Sequence, residues 1–176
     1  MEKKDLKPAG VFKYFEEICQ VPRPSKKEEK IIAYLKAFGA KHNLETNVDE
    51  AGNVLIKKPA TPGKENLQTV ILQSHIDMVC EKNNDVQHDF LTDPIETEID
   101  GEWLKAKGTT LGADNGIGVA TELAILADDS IEHGPLECLF TVDEETGLTG
   151  AFELKEGFMS GDILLNLDSE DEGEIF

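Results

Sequence analysis

The sequence predicts an α/β fold: a three-layer domain with a mostly parallel central sheet flanked by helices. Three observations predict it. Segments with apolar residues at helical spacing alternate with short apolar runs. The runs at 69–75, 136–142 and 163–168 read as buried strands, the first nearly all apolar and therefore central. A length of 176 residues with 39% hydrophobic content is the size of one domain with a real core.

The elements follow in order. Residues 10–21, GVFKYFEEICQV, place Val11, Phe15, Ile18 and Cys19 on one helical face. Pro22 and Pro24 end that helix. The stretch 25-SKKE-28 has the spacing of a capping box, a Ser with Glu three residues on. It is expected to start a second helix carrying Ile31, Ile32, Leu35 and Phe38, with Gly39 and His42-Asn43 near its end. The period then changes to two, giving strands at 44–49, 53–58 and 69–75. The loop KPATPGKEN separates the last two and is rich in turn formers. Residues 95–106 alternate around Asp100-Gly101, a hairpin signal. A third helix is expected at 115–128, with Gly116 and Gly118 small enough for close packing on the sheet. Strands at 136–142 and 163–168 complete the pattern, and an acidic cluster, 168-DSEDEGE-174, follows.

Charge narrows the partners. Seventeen basic against 36 acidic residues give a net charge of −19. Such a surface repels nucleic acid and anionic membrane and tolerates cations. Most of these carboxylates read simply as a solvated surface. The three cysteines, Cys19, Cys80 and Cys138, are odd in number and widely spaced without a CxxC, so neither a disulfide framework nor a zinc knuckle is expected. The start lacks the apolar core of a signal peptide, and no apolar run approaches the roughly 20 residues that span a bilayer. A reducing, cytoplasmic location is the expectation.

The polar residues at strand ends then stand out. His75 and Asp77 follow the central strand two residues apart, so both project to one side. Asp114 lies in the glycine-rich loop 108-GTTLGADNG-116 at the start of a helix. Glu144 and Glu145 follow the strand 136–142, and Asp168 ends the strand 163–168. Ligands of open α/β sheets bind at this edge. Carboxylates converging within a few Å repel one another unless a cation is present. One imidazole with several carboxylates suits zinc, and also manganese or cobalt. Two metals about 3.5–4 Å apart would need a bridging carboxylate, and Asp114 is placed for it. Taken singly, each residue also fits a plain role: a hydrogen-bonded histidine, an N-cap, a solvated strand end, a turn. His42, His88 and His133 lack such company and read as surface or core residues.

The strings SHIDMV, GTTLGADNGIG, TVDEETG and LLNLDSEDEGEI resemble the aminoacyl-histidine dipeptidases. These form the carnosinase-type branch of the co-catalytic dizinc aminopeptidase and dipeptidase clan. The resemblance extends to VPRPSKKEEKI, KNNDVQHDF, DPIETEIDGEWLKAKGTTLGADNG and HGPLE, and so covers nearly the whole chain. It implies that His75 and Asp168 ligate one zinc, that Asp114 bridges both, and that Glu145 ligates the second. It implies two catalytic positions besides the ligands. Glu144 would be the general base for the water between the metals, and Asp77 would fix the tautomer of His75. The Asp114–Asn115 peptide would be cis. Zinc lowers the pKa of bound water from 15.7 to about 7. The implied reaction is hydrolysis of dipeptides with a free N-terminus, commonly Xaa-His, including β-alanyl-histidine.

In that family a further histidine ligand of the second zinc and an inserted lid domain lie downstream. Residues 1–176 therefore correspond to the N-terminal portion of the catalytic domain, without the lid or the C-terminal half. The resemblance implies two zincs per full-length subunit and a homodimer formed through the lid. It also implies negligible hydrolysis by these 176 residues alone. A related zinc deacylase or aminoacylase, and an inactive metal-binding fragment, are the alternatives.

Overall fold

A computed structural model describes residues 2–169. Its elements are α1 (Ala9–Cys19), α2 (Glu29–Lys41), β1 (Glu45–Val48), β2 (Val54–Lys58), β3 (Val70–His75), β4 (Thr97–Asp100), β5 (Trp103–Ala106), α3 (Ala113–Ala127), β6 (Leu136–Thr141), α4 (Thr149–Phe152) and β7 (Ile163–Asn166). A short 3₁₀ turn, Lys3–Asp5, precedes α1.

The five-stranded sheet has the order β1-β2-β6-β3-β7. β6, β3 and β7 are parallel neighbours, while β2 runs antiparallel to both β1 and β6. Four strands thus share one direction and β2 opposes them. Every residue of β6 is buried, as a strand covered on both faces requires. β7 pairs with β3 at the edge of the sheet and all four of its residues are exposed, so the run at 163–168 is not the buried strand its apolar residues predict.

Alternation along the strands divides the core between two faces. Val54, Ile56, Leu72, Cys138 and Phe140 meet the helical side, packing with Phe15 and Ile18 of α1, Ile31 and Leu35 of α2, and Val119 and Leu123 of α3. Leu55, Ile71 and Leu139 face the other way, under Leu154, Phe158 and Met159. Leu35 and Leu123 are fully buried, and truncating either to alanine is expected to cost about 2–5 kcal/mol.

Three boundaries differ from expectation, each for a local reason. α2 starts at Glu29 after Glu28, and no side chain caps it. Ser25 and Glu28 do not form a capping box, because their oxygens are engaged elsewhere. The loop of the β4–β5 hairpin is Gly101-Glu102, with Asp100 paired to Trp103. Gly101 takes φ +63, which suits the first position of such a loop. α3 begins at Ala113, but Asp114 and Asn115 are not helical within it. The four-residue α4 has too few residues to show helical periodicity in sequence. Most of the acidic cluster 168–174 lies outside the described residues.

The parallel register delivers the site. His75 pairs with Thr141, so β3 and β6 end at one level, and Gln73 pairs with Asn166, so β7 ends two residues short of it. The chain leaving each strand enters the same edge.

Candidate metal centre

His75 is the last residue of β3, and both it and Asp77 are buried. The Ile76 N–H donates to the Thr141 carbonyl at 2.9 Å, extending the ladder past the strand end. The His75 ring then stands with Nδ1 3.3 Å from Asp77 Oδ1. An ionised carboxylate only accepts, so Nδ1 carries the proton. Nε2 faces the other acids: Asp114 Oδ1 at 3.0 Å, Glu144 Oε2 at 3.8 Å and Asp168 Oδ2 at 3.9 Å.

Asp114 reaches this point from a loop that only glycines can trace. Gly108 and Gly112 have φ +77 and +69, in the left-handed region. Gly112 occupies the N-cap position of α3, so Asp114 is not the cap. The Asp114–Asn115 peptide is cis. Gly118 lets α3 press on β3, since a Cβ there would collide with Asn115 and come within 3.1 Å of Ser74 Cβ.

Glu144 and Glu145 follow Asp143, which turns the chain with φ +50. Asp143 accepts hydrogen bonds from the hydroxyls of Thr146 and Thr149, each at 2.5 Å. The N–H groups of Glu144 and Glu145 donate to Asp77 Oδ1 and Oδ2 at 3.0 and 3.2 Å. Asp77 Oδ2 also accepts from the Ser25 hydroxyl at 2.7 Å. One carboxylate therefore orients the imidazole and holds the peptide that carries both glutamates. Asp168 lies two residues beyond β7, where its N–H donates to Asn166 Oδ1 at 2.8 Å.

Of three acidic groups spaced to hold a cation among the described residues, two contain His75: His75 with Asp114 and Glu145, and His75 with Glu144 and Asp168. Within each, the ligand atoms lie within 4.8 Å of one another. Imidazole nitrogen with carboxylate oxygens is the donor set of zinc, manganese or cobalt, and it fits the residues present. The sets differ in detail from those the resemblance implies, which give Asp114 to both metals and Glu144 to neither. All six expected residues nevertheless converge. An open cleft of about 770 Å³ lies over them, lined by Asp114, Asn115, Ile117, Glu144, Glu145 and Asp168 among others.

Crowding shifts the acidity of these groups. Burial alone would lower the His75 pKa, but the hydrogen bond and charge of Asp77, with Asp114 and Asp168, raise it to about 9. Burial pushes Asp77 up, yet the donors of His75, Glu144 and Ser25 hold it below the usual carboxylate range. Glu144 and Glu145 are raised, by burial first and then by neighbouring acids, against the pull of His75. A divalent cation would reverse this balance.

The other histidines stay away, as expected. His42 lies against Phe38 and His88 against Phe90, with ring centroids 4.4 Å apart in each pair, and His133 Nδ1 meets the Gly134 carbonyl at 2.7 Å. Three supporting residues escaped sequence reasoning. Ser25 and Glu28 matched a local capping pattern that masked their long-range partners. Arg23 stood between two prolines without any signal.

A histidine-anchored, carboxylate-rich cluster at the carboxyl edge of a mixed α/β sheet is a candidate metal centre. Residues 71–171 match the peptidase family M20/M25/M40, and the chain belongs to that family. It is 51% identical over 175 residues to the cytosol non-specific dipeptidase of Escherichia coli, covering 99% of this chain and 36% of that protein. It superposes on the crystal structure of aminoacylhistidine dipeptidase from Vibrio alginolyticus with a TM-score of 0.95 and 55% identity, covering 98% of this chain and 35% of that one. Against aminopeptidase PepT from Bacillus cereus the TM-score is 0.78 at 26% identity, covering 92% of this chain and 43% of that one. The chain thus spans about a third of the length of the first two. No helix among the described residues is long and apolar enough to cross a membrane.

Proposed function

We propose that the complete polypeptide is a cytoplasmic dizinc dipeptidase acting on dipeptides with a free N-terminus. Xaa-His peptides such as β-alanyl-histidine fall within its range. The observation that carries this reading is the convergence of four carboxylates on one buried imidazole at the carboxyl edge of the sheet. The non-specific dipeptidase of Escherichia coli, at 51% identity, supports a broad choice of side chains.

His75, Asp114, Glu145 and Asp168 would hold the cations, with Asp114 shared between them. When bound, zinc supplies Lewis acidity that makes water acidic enough to attack a peptide carbonyl at neutral pH. Glu144 is the general base: it lies at the rim of the cleft, its pKa raised above the ordinary carboxylate value by burial and neighbouring acids. It takes the proton of the attacking water and returns it to the leaving amine. Asp77 holds a proton of His75 on Nδ1, so that Nε2 is the nitrogen turned toward the site and available to a cation. The backbone donors from Glu144 and Glu145 keep Asp77 ionised for that task. The remaining ligands, the lid and the homodimer contacts belong to the rest of the polypeptide.

The test is substrate profiling of the complete, zinc-loaded protein against Xaa-His dipeptides, other dipeptides and N-acyl amino acids. Dipeptide hydrolysis lost in His75→Ala, together with lost zinc binding, is the expected result. A preference for N-acyl substrates would sink the dipeptidase reading.

A further inference from the structure

We infer that Arg23 is a positioning residue of the metal centre, tying the His75–Asp77 strand end to the glycine loop that carries Asp114. The inference rests on the dipeptidase reading of that centre.

Arg23 is 3% exposed, and among the described residues its guanidinium forms no ion pair. It donates to three main-chain carbonyls instead. Nη1 reaches Ile76 O at 3.1 Å and Asp77 O at 3.0 Å, and Nη2 reaches Gly112 O at 2.5 Å. The first two carbonyls lie immediately after His75, and the third lies two residues before Asp114. A guanidinium is a planar fork with fixed donor directions. It therefore sets the separation of the two segments, and with it the 3.0 Å approach of Asp114 to His75 Nε2.

The loop packs closely on the guanidinium and on its neighbours Met78 and Phe15. A Cβ at Gly112 or Gly116 would come within 2.5 or 2.6 Å of Arg23 Nη2. These glycines flank Asp114, so the loop that presents the ligand is built around the guanidinium. Burying an arginine without a paired carboxylate is costly, and an apolar side chain would fill the same space more cheaply. Its donors are used where geometry matters.

The residues that follow continue the pattern. Pro24 bridges to Met78 beside the strand end. Ser25 donates to Asp77 Oδ2 at 2.7 Å, and Glu28 Oε1 accepts the Asp143 N–H at 3.0 Å. The stretch 23–28 thus touches all three segments that bring His75, Asp114 and the paired glutamates together. Arg23 itself does not line the cleft, so it acts through these segments.

The test uses the complete polypeptide as Arg23→Met, which keeps length without donors, and Arg23→Lys, which keeps charge without the fork. Zinc affinity is read by competition with a chromophoric chelator, and kcat and KM with β-alanyl-histidine at saturating zinc. In Arg23→Met, zinc affinity is expected to fall about 10–100-fold and kcat by a similar factor, with KM little changed. Arg23→Lys should fall between. Wild-type zinc affinity and kcat in a folded Arg23→Met would overturn the inference, whatever its melting temperature. Should that variant not fold, Arg23→Lys decides alone, and wild-type values in it overturn the inference equally. A wild-type protein that neither binds zinc nor cleaves the dipeptide would instead sink the dipeptidase reading, and the inference with it.

Discussion

Glu28, Asp77 and Asp143 lie at the inner end of the site, and Asp114, Glu144, Glu145 and Asp168 at its outer end. Both are tight clusters of acids. The inner three are buried, with an oxygen of each within 4.8 Å of the others, yet they need no ion. Protein donors surround them: the N–H groups of Lys26, Asp143, Glu144 and Glu145, the hydroxyls of Ser25, Thr146 and Thr149, and the His75 ring. The outer acids turn instead toward one imidazole nitrogen and an open cleft. A cluster saturated by fixed dipoles is structure. A cluster that shares one nitrogen is where a cation would bind. Asp77 belongs to the first and steers the second.

The comparison can be broken by removing one member at a time. The largest effect is expected from Glu144→Gln in the complete protein. It keeps size and polarity but cannot accept a proton, so kcat should fall about 10²–10⁴-fold while zinc still binds. Asp77→Asn comes next, with metal affinity reduced about 10–100-fold in a chelator competition. A smaller, thermal effect separates the clusters directly. Zinc at 100 times its dissociation constant should stabilise the protein by about 2.7 kcal/mol, and calorimetry should show none of this in His75→Ala. Asp143→Asn should keep that zinc response but cost about 1.5–3 kcal/mol of stability through weakened bonds to Thr146 and Thr149. Zinc stabilisation lost in Asp143→Asn and kept in His75→Ala would reverse the assignment of the two clusters.

A last effect concerns a buried acid outside both clusters. Glu122 of α3 is fully buried beside the Ser74 hydroxyl, and burial raises its pKa well above 4.5 against the pull of that hydroxyl. The folded protein keeps a proton that the unfolded chain releases above 4.5, so stability falls as pH rises from 4.5 toward the raised value. Glu122→Gln should melt higher than wild type near pH 8, with the gap closing at pH 4.5. A gap independent of pH would mean that Glu122 is not held neutral.

Much of this was legible along the chain. The strands at 54–58, 70–75 and 136–141 follow apolar runs, and α1 and α2 follow helical spacing, because burial of one face or both imposes a period on the sequence. The six candidate residues stood out jointly, because imidazole and carboxylates from three strand ends and one helix start all fall at the same edge of the sheet. The supporting residues were hidden for an equally physical reason. Ser25 and Glu28 satisfy a local capping rule, but hydrogen bonds to Asp77 and from Asp143, 52 and 115 residues away, won. Local spacing carries no trace of such partners.

By itself, the sequence determined the alternation of helices and strands, the acidity of the surface and the chemistry of each candidate ligand, since these depend on side-chain type and near-neighbour spacing. The tertiary structure alone decided which acids share a nitrogen and which share backbone donors. It placed Asp114 against His75 across 39 residues and set Arg23 behind both. Those choices follow from the parallel register of β3, β6 and β7, which brings distant chain ends to one edge, where a few ångström separate a ligand from a structural carboxylate.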